Sequence, residues 1–203
     1  IKYIMLPDPI KKFIELFSEL PSIGPRQATR LAFHLIASGK NSINEIERSL
    51  SDIKNLKNCE RCFFVAGFQS NICFFCGDQK RRKDLIAIVE KPTDLLSLER
   101  TAHFKGQYFI LGDLAKTGVL ETAQRLRIKN LASRLIKEFP NQDAEIIIAI
   151  SPTTFGDFTA QLITQELKPL VKKISRLGRG IPTGGEIEFA DEETLRNALE
   201  RRL

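Results

Sequence analysis

The feature that most constrains this chain is a set of four cysteines arranged as two close pairs. Cys59 and Cys62 form one CxxC pair, and Cys73 and Cys76 form a second pair after ten intervening residues. Two pairs at this spacing can meet in space and surround a tetrahedral zinc ion with four thiolates. Because four protein ligands leave no position for water or substrate, such an ion would stabilise structure and take no part in chemistry.

Two other interpretations of the cysteines stay open, namely paired disulfides and a redox-active CxxC motif. No secretory signal precedes the cysteines, and chains without one normally stay in a compartment that keeps thiols reduced. No apolar run has the length of a membrane span, so we expect no membrane partner. The sequence therefore favours one structural Zn²⁺ per chain and a cytoplasmic location.

The positive charge of the chain is concentrated in its first part. The net charge is +6; residues 1–83 contain 14 Lys and Arg against 8 Asp and Glu, and residues 84–203 contain 17 against 17. A basic N-terminal part suggests a polyanionic partner, and a neutral C-terminal part suggests a scaffold or an assembly role.

The N-terminal part has the pattern of two helices joined by a hairpin. Apolar residues recur at three- and four-residue steps over about 9–20 and about 25–38, and Gly24 between them is expected to take a positive φ. Backbone N–H groups at the start of the second helix, with Arg26 and Arg30 one turn apart, can hold a sugar-phosphate backbone. An ordinary helical hairpin with solvated arginines is an equally good interpretation.

A third helix is predicted between this hairpin and the cysteines. Residues 42–45 have the sequence of a capping box, Ser-Ile-Asn-Glu, which predicts a helix start at Ser42. The apolar residues expected to face inward from this helix are Ile43, Ile46, Leu50, Ile53 and Leu56. The basic cluster at residues 80–83 could face phosphate or be a solvated linker, and the linker is the favoured interpretation.

From residue 84 onward, apolar runs typical of buried strands alternate with helical patterns. Strands are predicted at about 85–89, 108–111, 145–150 and 171–175, and helices at about 92–101, 122–139 and 157–167. This order predicts an α/β fold with a doubly wound parallel sheet. The sequence predicts three further elements after the sheet: a glycine-rich turn, an edge strand at 187–189 and a final helix over 192–201 capped by Asp191. An edge strand with a tethered helix is suited to subunit contact.

Two acidic residues are expected at the carboxyl edge of this sheet, where functional groups gather in such folds. Glu90 follows the first strand, and Asp157 lies in the turn after the third. Two carboxylates meeting there could share Mg²⁺, although the sequence offers no third acid. The favoured interpretation is that Glu90 caps a loop and Asp157 caps its helix.

The order of these parts resembles the bacterial recombination protein family RecR, over nearly the whole chain. The motifs that carry the resemblance are a hairpin over residues 20–35, the four-cysteine finger, Val89-Glu90 followed by Pro92 and Asp94, and the segment Gly-Ile-Pro-Thr-Gly-Gly-Glu-Ile-Glu-Phe-Ala-Asp at 180–191. The resemblance implies a helix-hairpin-helix module at 1–57, a C4 zinc finger at 58–80, a Toprim domain at 81–175 and a C-terminal arm at 176–203.

The resemblance also implies a role in recombinational DNA repair. RecR-like proteins bind or encircle DNA and, with RecO and RecF, help load the recombinase at gapped DNA, so a ring-shaped homo-oligomer, a tetramer or a dimer, is implied. Arg26 and Arg30 match the DNA-contacting positions, the four cysteines match the zinc ligands, and Glu90 matches the first Toprim acid. Where the family usually has Glu-Gly-Glu, residues 155–157 are Phe-Gly-Asp, so Asp157 is the one acid retained there.

These departures favour a non-catalytic, nucleoid-associated DNA clamp. A phenyl ring cannot coordinate Mg²⁺, and residues 112–118 lack the glycine-rich loop expected after the second strand. The alternative is a Mg-dependent Toprim phosphoryl-transfer enzyme, nuclease or primase-like, that uses Glu90 and Asp157. A further alternative is a zinc-stabilised adaptor that binds only proteins.

Overall fold

The computed structural model describes residues 5–67, 69–114, 120–200 and 202. Residues 115–119, in the loop expected to lack the family's glycines, and Arg201, the expected end of the final helix, lie outside the described residues. The chain divides into two compact units, one ending at residue 56 and the other beginning at residue 57.

The first unit is a pair of packed helices, α1 (Asp8–Ser18) and α2 (Pro25–Lys54). The contact faces of the two helices contain buried Ile14 on α1 and buried Ala28 and Ala32 on α2. The two alanines are small, so they let the helices approach closely. The expected positive φ in the hairpin is on Ser22, at 65°, whereas Gly24 caps α2 with φ −87°. The prediction for Gly24 was therefore wrong, because the chain already reverses before the helix begins.

The helix α2 contains the predicted break but not the predicted capping box. Gly39 interrupts the helix with φ 84° and ψ 172°, a conformation that residues with a Cβ rarely adopt. Residues 40–54 are helical, so Ser42 lies within a helix and does not start one. Gly39 is the one residue inside α2 with a non-helical backbone conformation, and the helix resumes at residue 40.

The apolar face predicted for the second half of α2 is exposed, contrary to the expectation that it faces inward. Its residues are between 38% and 60% exposed: Ile43, Ile46, Leu50, Ile53 and Leu56. The buried residues of α2 all lie in its first half, and α1 has 11 residues against 30 in α2. A helix that short cannot cover the length of its neighbour, so the second half keeps an open apolar face.

The second unit begins with the cysteine finger and continues into a parallel sheet. The finger consists of the antiparallel pair β1 (Lys57–Asn58) and β2 (Val65–Ala66), and the short helix α3 (Phe74–Gly77). The parallel sheet has the order β4-β3-β5-β6, with β3 at Arg82–Val89, β4 at Gly106–Ile110, β5 at Glu145–Ala149 and β6 at Lys173–Arg176. The helices between the strands are α4 (Pro92–Glu99), α5 (Thr122–Glu138) and α6 (Thr154–Leu167).

Both faces of the parallel sheet are covered, which confirms the predicted α/β fold. Ile86, Ile88 and alternate residues of the neighbouring strands pack with the buried residues of α5 and α6. On the other face, Ala87 and Val89 pack in one cluster with α4 and with the four cysteines. The finger is thus part of the core on one side of the sheet.

The basic cluster at residues 80–83 is not a linker, because β3 begins within it. Arg82 is the first residue of the strand, and Arg81 has a side chain only 9% exposed. Three of the four basic residues of this cluster, Arg81, Arg82 and Lys83, therefore belong to the folded sheet unit.

The segment after β6 differs from its prediction in one element. Residues Ile187–Phe189 form a short 3-10 helix, and the predicted edge strand is wrong. Ile187 and Phe189 are 69% and 78% exposed. The final helix α7 (Glu192–Glu200) starts as predicted, since Asp191 Oδ1 accepts a hydrogen bond of 2.9 Å from the Thr194 N–H. None of the helices in the described ranges combines the length and hydropathy that crossing a bilayer requires.

Candidate metal centre and nucleic-acid interface

The four cysteines converge into one buried cluster. One sulfur from each of Cys59, Cys62, Cys73 and Cys76 lies within 4.8 Å of the others, and none of the residues is more than 7% exposed. All four are free thiols, and Cys62 Sγ and Cys73 Sγ are 3.4 Å apart, well beyond the length of a disulfide. This arrangement can hold a metal ion.

Local hydrogen bonds shape each CxxC pair into a tight turn. The Phe63 N–H donates to the Cys59 carbonyl at 2.9 Å, and the Gly77 N–H donates to the Cys73 carbonyl at 3.0 Å. The Cys73 N–H points at Cys59 Sγ, 3.3 Å away. A backbone N–H aimed at sulfur stabilises the thiolate form that a metal ion requires.

The chemistry of the cluster fits a soft divalent cation. The sulfur contacts with Cys73 and Cys76, and burial, hold the pKa of the Cys62 thiol above its ordinary value. Four thiolates this close repel one another, and a bound divalent cation removes that repulsion. A site with four protein ligands is closed to water, so its expected role is structural.

The first cysteine turn is joined to the edge of the parallel sheet. The Ile110 N–H, at the end of the edge strand β4, donates to the Cys62 carbonyl at 2.9 Å. From α5, Arg134 Nη1 donates to the Arg61 carbonyl at 2.6 Å, and Glu138 Oε2 accepts from Arg61 Nη2 at 2.7 Å. The cysteine cluster is therefore joined directly to β4 and α5.

The second cysteine turn is supported by Arg81. Its guanidinium lies 5.2 Å from the centre of the Phe75 ring and 5.6 Å from that of Tyr108. Arg81 also donates to the Gly106 carbonyl at 3.0 Å and forms an ion pair with Glu99. These contacts hold the guanidinium inside the fold, so Arg81 is not available to a phosphate.

A second candidate site is the start of α2. The first main-chain hydrogen bond of the helix joins the Ala28 N–H to the Gly24 carbonyl at 3.0 Å. The N–H groups of Arg26 and Gln27 come before this bond and have no acceptor within the helix. Gln27 Oε1 accepts from the Gly24 N–H at 3.0 Å and fixes the turn. Arg26 and Arg30 are both exposed. Two exposed guanidinium groups in the first turns of a helix are a favourable environment for phosphate.

The two predicted Toprim acids lie at the carboxyl edge of the sheet with separate partners. Glu90 directly follows β3; its Oε1 accepts from the Leu114 N–H at 3.3 Å and lies 3.5 Å from Lys91 Nζ. Glu90 therefore holds the loop after β4, in agreement with its interpretation as a loop cap.

Asp157 does not cap α6, contrary to the favoured interpretation. The cap is Thr153, whose hydroxyl accepts from the Gly156 N–H at 3.1 Å. Asp157 lies in the first turn, where its Oδ1 accepts from Arg176 Nη2 at 2.7 Å and from Arg179. Burial by itself would raise the pKa of Asp157, but the hydrogen bonds from Arg179 and Arg176 outweigh burial and hold that pKa below its ordinary value.

The carboxyl edge offers few ligands for a hard metal ion. Among the residues that the structure describes, the cysteines are the only group of three or more His, Cys, Asp or Glu side chains close enough to share an ion. A cleft of about 330 Å³ lies at this edge, lined in part by Ser97, Ser151 and Arg176, with neither Glu90 nor Asp157 in its wall. The cleft is therefore not a two-carboxylate site.

Sequence reasoning missed three arginines that determine these environments. Arg176 ends the last strand and Arg179 follows it, and the rule that functional groups gather at the carboxyl edge of a parallel sheet could have linked them to Asp157. Arg134 carried no comparable signal, because the helical pattern of α5 does not reveal which residues meet a cysteine turn far away in the chain.

Three family models match the chain in succession. Residues 10–54 match the RecR helix-hairpin-helix model, residues 84–178 match a Toprim domain, and residues 180–202 match the RecR C-terminal model. Together these matches span the hairpin unit, the parallel sheet and the final helix.

Curated proteins are similar to this chain over nearly their whole length. The recombination protein RecR of Dehalococcoides mccartyi is 38% identical over 195 residues, covering 95% of this chain and 93% of the relative. The RecR proteins of Chloroflexus aggregans and Frankia alni are 37% identical over 204 residues and 36% over 194, covering 98% and 95% of this chain and 96% and 95% of the relatives.

Proposed function

The chain belongs to the RecR family of recombination proteins, and from this membership we propose that it acts as a non-catalytic DNA clamp in recombinational repair. It would work in the cytoplasm at the nucleoid, with RecO and RecF, to help load the recombinase on gapped DNA. The observation that carries the proposal is the exposed arginine pair at the start of α2.

DNA binding by the first unit is supported by charge and geometry. Arg26 and Arg30 are exposed and lie one helical turn apart. They are close to the backbone N–H groups at the start of α2 that have no acceptor within the helix. The first unit, up to residue 56, has a small excess of basic residues, 8 against 6 acidic ones, and residues 57–83 hold the rest of the excess, 6 against 2. Contacts of this kind go to phosphates, so affinity should depend strongly on salt and little on sequence.

The test is the double variant Arg26→Ala, Arg30→Ala, measured by DNA-binding titration at several salt concentrations. Removing two phosphate contacts should weaken binding at least about 10-fold and lower the slope of log affinity against log salt by about 2. A matched control is Arg48→Ala, Lys54→Ala, which removes the same charge from exposed positions in the second half of α2. Equal affinities of the two double variants would contradict the assignment.

The absence of catalysis is the second part of the proposal. Asp157 is already paired with Arg176 and Arg179, and Glu90 Oε1 accepts from the loop after β4, so the two carboxylates have separate partners. Among the described residues, neither belongs to a group of three or more side chains that could share a metal ion. Nuclease and nucleotidyl-transfer assays with Mg²⁺ or Mn²⁺ should give no activity above background. Activity that Glu90→Gln abolishes would favour the alternative of a Toprim enzyme.

We further propose that the metal in the cysteine cluster is Zn²⁺, with one ion per chain. Four thiolates in a closed, buried site are typical of structural zinc. Elemental analysis of the purified protein should give one zinc per chain, and replacing any one cysteine with serine should lower that ratio.

Self-association into a ring, a tetramer or a dimer, is the last part of the proposal. It is supported by apolar side chains that the single chain leaves exposed: Ile43, Ile46, Leu50 and Ile53 on α2, and Ile187, Phe189 and Leu199 in the C-terminal segment. A closed ring requires two contact surfaces per chain or one self-complementary surface. Solution mass, measured with and without DNA, tests this directly.

A further inference from the structure

Among the described residues of the second unit, Arg134 has the largest number of buried side-chain nitrogen atoms without a hydrogen-bond partner. Arg134 Nη1 donates to the Arg61 carbonyl, in the first cysteine turn, at 2.6 Å. Its Nε and Nη2 atoms are buried and have no hydrogen-bond partner among the described residues. Burying a guanidinium without full hydrogen bonding is costly, so a nearby negative charge must compensate it.

The protein carboxylate near Arg134 is already engaged. Glu138, one turn further along α5, accepts from Arg61 Nη2 at 2.7 Å. Burial, first of all, and the neighbouring Arg61 lower the pKa of Arg134, whereas Glu138, Cys76 and Cys62 act in the opposite direction. Arg61, whose carbonyl Arg134 binds, lies between Cys59 and Cys62 in the chain, so the bound peptide group is next to a cysteine of the cluster.

We propose that Arg134 is the counter-charge of the metal centre and couples metal loading to the packing of the finger against α5. This inference rests on the proposed zinc. A Zn²⁺ ion with four thiolates has a net charge of −2, which a buried guanidinium beside the first cysteine turn offsets. Arg134 is thus a positioning residue that tunes the metal site without being a ligand.

Arg127 provides a matched comparison on the same helix. Its guanidinium lies 4.7 Å from the centre of the Phe63 ring, and its Nη1 donates to the Ile110 carbonyl at 3.2 Å. Arg127 therefore also joins α5 to the finger and β4, but through an aromatic ring and a strand end. Replacing it removes the same charge and a similar packing contact without touching the carbonyl that Arg134 binds.

The experiment compares zinc affinity in the full chain, by competition with a chromophoric chelator, for wild type, Arg134→Met, Arg134→Lys and Arg127→Met. Arg134→Met should lower the affinity about 10- to 100-fold, the range typical of lost outer-shell partners. Arg134→Lys, which keeps the charge, should recover most of that loss. Arg127→Met should stay close to wild type.

Different failures have different meanings. If wild type holds one zinc and Arg134→Met binds it equally well, the inference fails and the zinc assignment stands. If Arg134→Lys is as weak as Arg134→Met, the arginine acts through hydrogen-bond geometry, and the counter-charge role is overturned. If wild type takes up no zinc, the zinc assignment fails and this inference fails with it.

Hydrogen exchange of the wild-type protein gives a test that does not depend on how a variant folds. Removing zinc should increase amide exchange in α5, because Arg134 then loses the charge that compensates it. Helix α6, which packs on the same face of the sheet, should change less. Equal changes in the two helices would contradict the coupling.

Discussion

Asp157 illustrates how a residue retained from a family motif can have a different chemical role. Its carboxylate accepts hydrogen bonds from Arg176 and Arg179, and Arg179 also donates to Glu193 Oε1 of α7 at 3.1 Å. A carboxylate that binds two guanidinium groups has little affinity left for a hard metal ion. These three ion pairs join α6 to the end of β6, to the segment after it and, through Glu193, to the final helix.

Asp157 should contribute stability at neutral pH that is lost in acid. Its folded-state pKa lies below the ordinary value of 3.8, so the contribution is present above that pH and is lost as the pH falls through the lower, folded-state pKa. Asp157→Asn should therefore flatten the pH dependence of the unfolding free energy below about pH 4. Denaturant titrations of the wild type and the variant from pH 7 to pH 2 measure the unfolding free energy at each pH. Parallel plots of unfolding free energy against pH for the two proteins would contradict the prediction.

At the scale of elements, α2 is a helix whose halves face different environments. Its first half packs against α1 through Ala28 and Ala32, while its second half, after Gly39, has an exposed apolar face. Exposed isoleucines and leucines at helical spacing are typical of a surface that another helix covers. The second half of α2 is therefore the element on which self-association can be tested most directly.

Ile46→Glu with Leu50→Glu should reduce the solution mass of the protein by at least half. Both side chains are exposed in the single chain, at 39% and 56%, so the change should leave the fold of the protomer intact. Charges placed in an apolar contact between chains are costly because they lose their hydration. Light scattering measures the mass, Glu47→Lys on the same helix is the control, and an unchanged mass would exclude this face from assembly.

At the scale of the whole molecule, the metal centre belongs to the core of the second unit. The cysteines pack in one cluster with Ala87, Val89 and Tyr108, and the Cys62 carbonyl is bonded to β4. With the proposed ion bound, its loss would remove the metal–sulfur bonds that hold the two cysteine turns together inside that core. The stability of the sheet would then be linked to metal loading.

Removing the metal with a chelator should lower the melting temperature by about 10 °C or more. An ion present at about 1,000 times its Kd contributes about 4 kcal/mol, and about 1 kcal/mol corresponds to 2–4 °C for a chain of this size. Calorimetry before chelation, after chelation and after adding zinc back measures the effect and its reversibility. An unchanged melting temperature after verified metal removal would show that the ion does not stabilise the core.

Much of the architecture is determined by local sequence patterns. The cysteine spacing, the alternation of apolar runs with helical periods, and the capping Asp191 each act over a few residues, so the sequence predicts the metal cluster, the parallel sheet and the final helix. The errors at Ser42 and at residues 187–189 are also local, because short apolar or capping patterns occur in more than one conformation.

The tertiary structure alone decides the surroundings of each functional group. Asp157 meets arginines 19 and 22 residues away, and Arg134 binds a carbonyl 73 residues away. Whether the apolar face of α2 is covered depends on the length of α1, which periodicity does not encode. These outcomes depend on contacts between distant segments, and the energy of such contacts is set by packing, burial and charge in the folded chain.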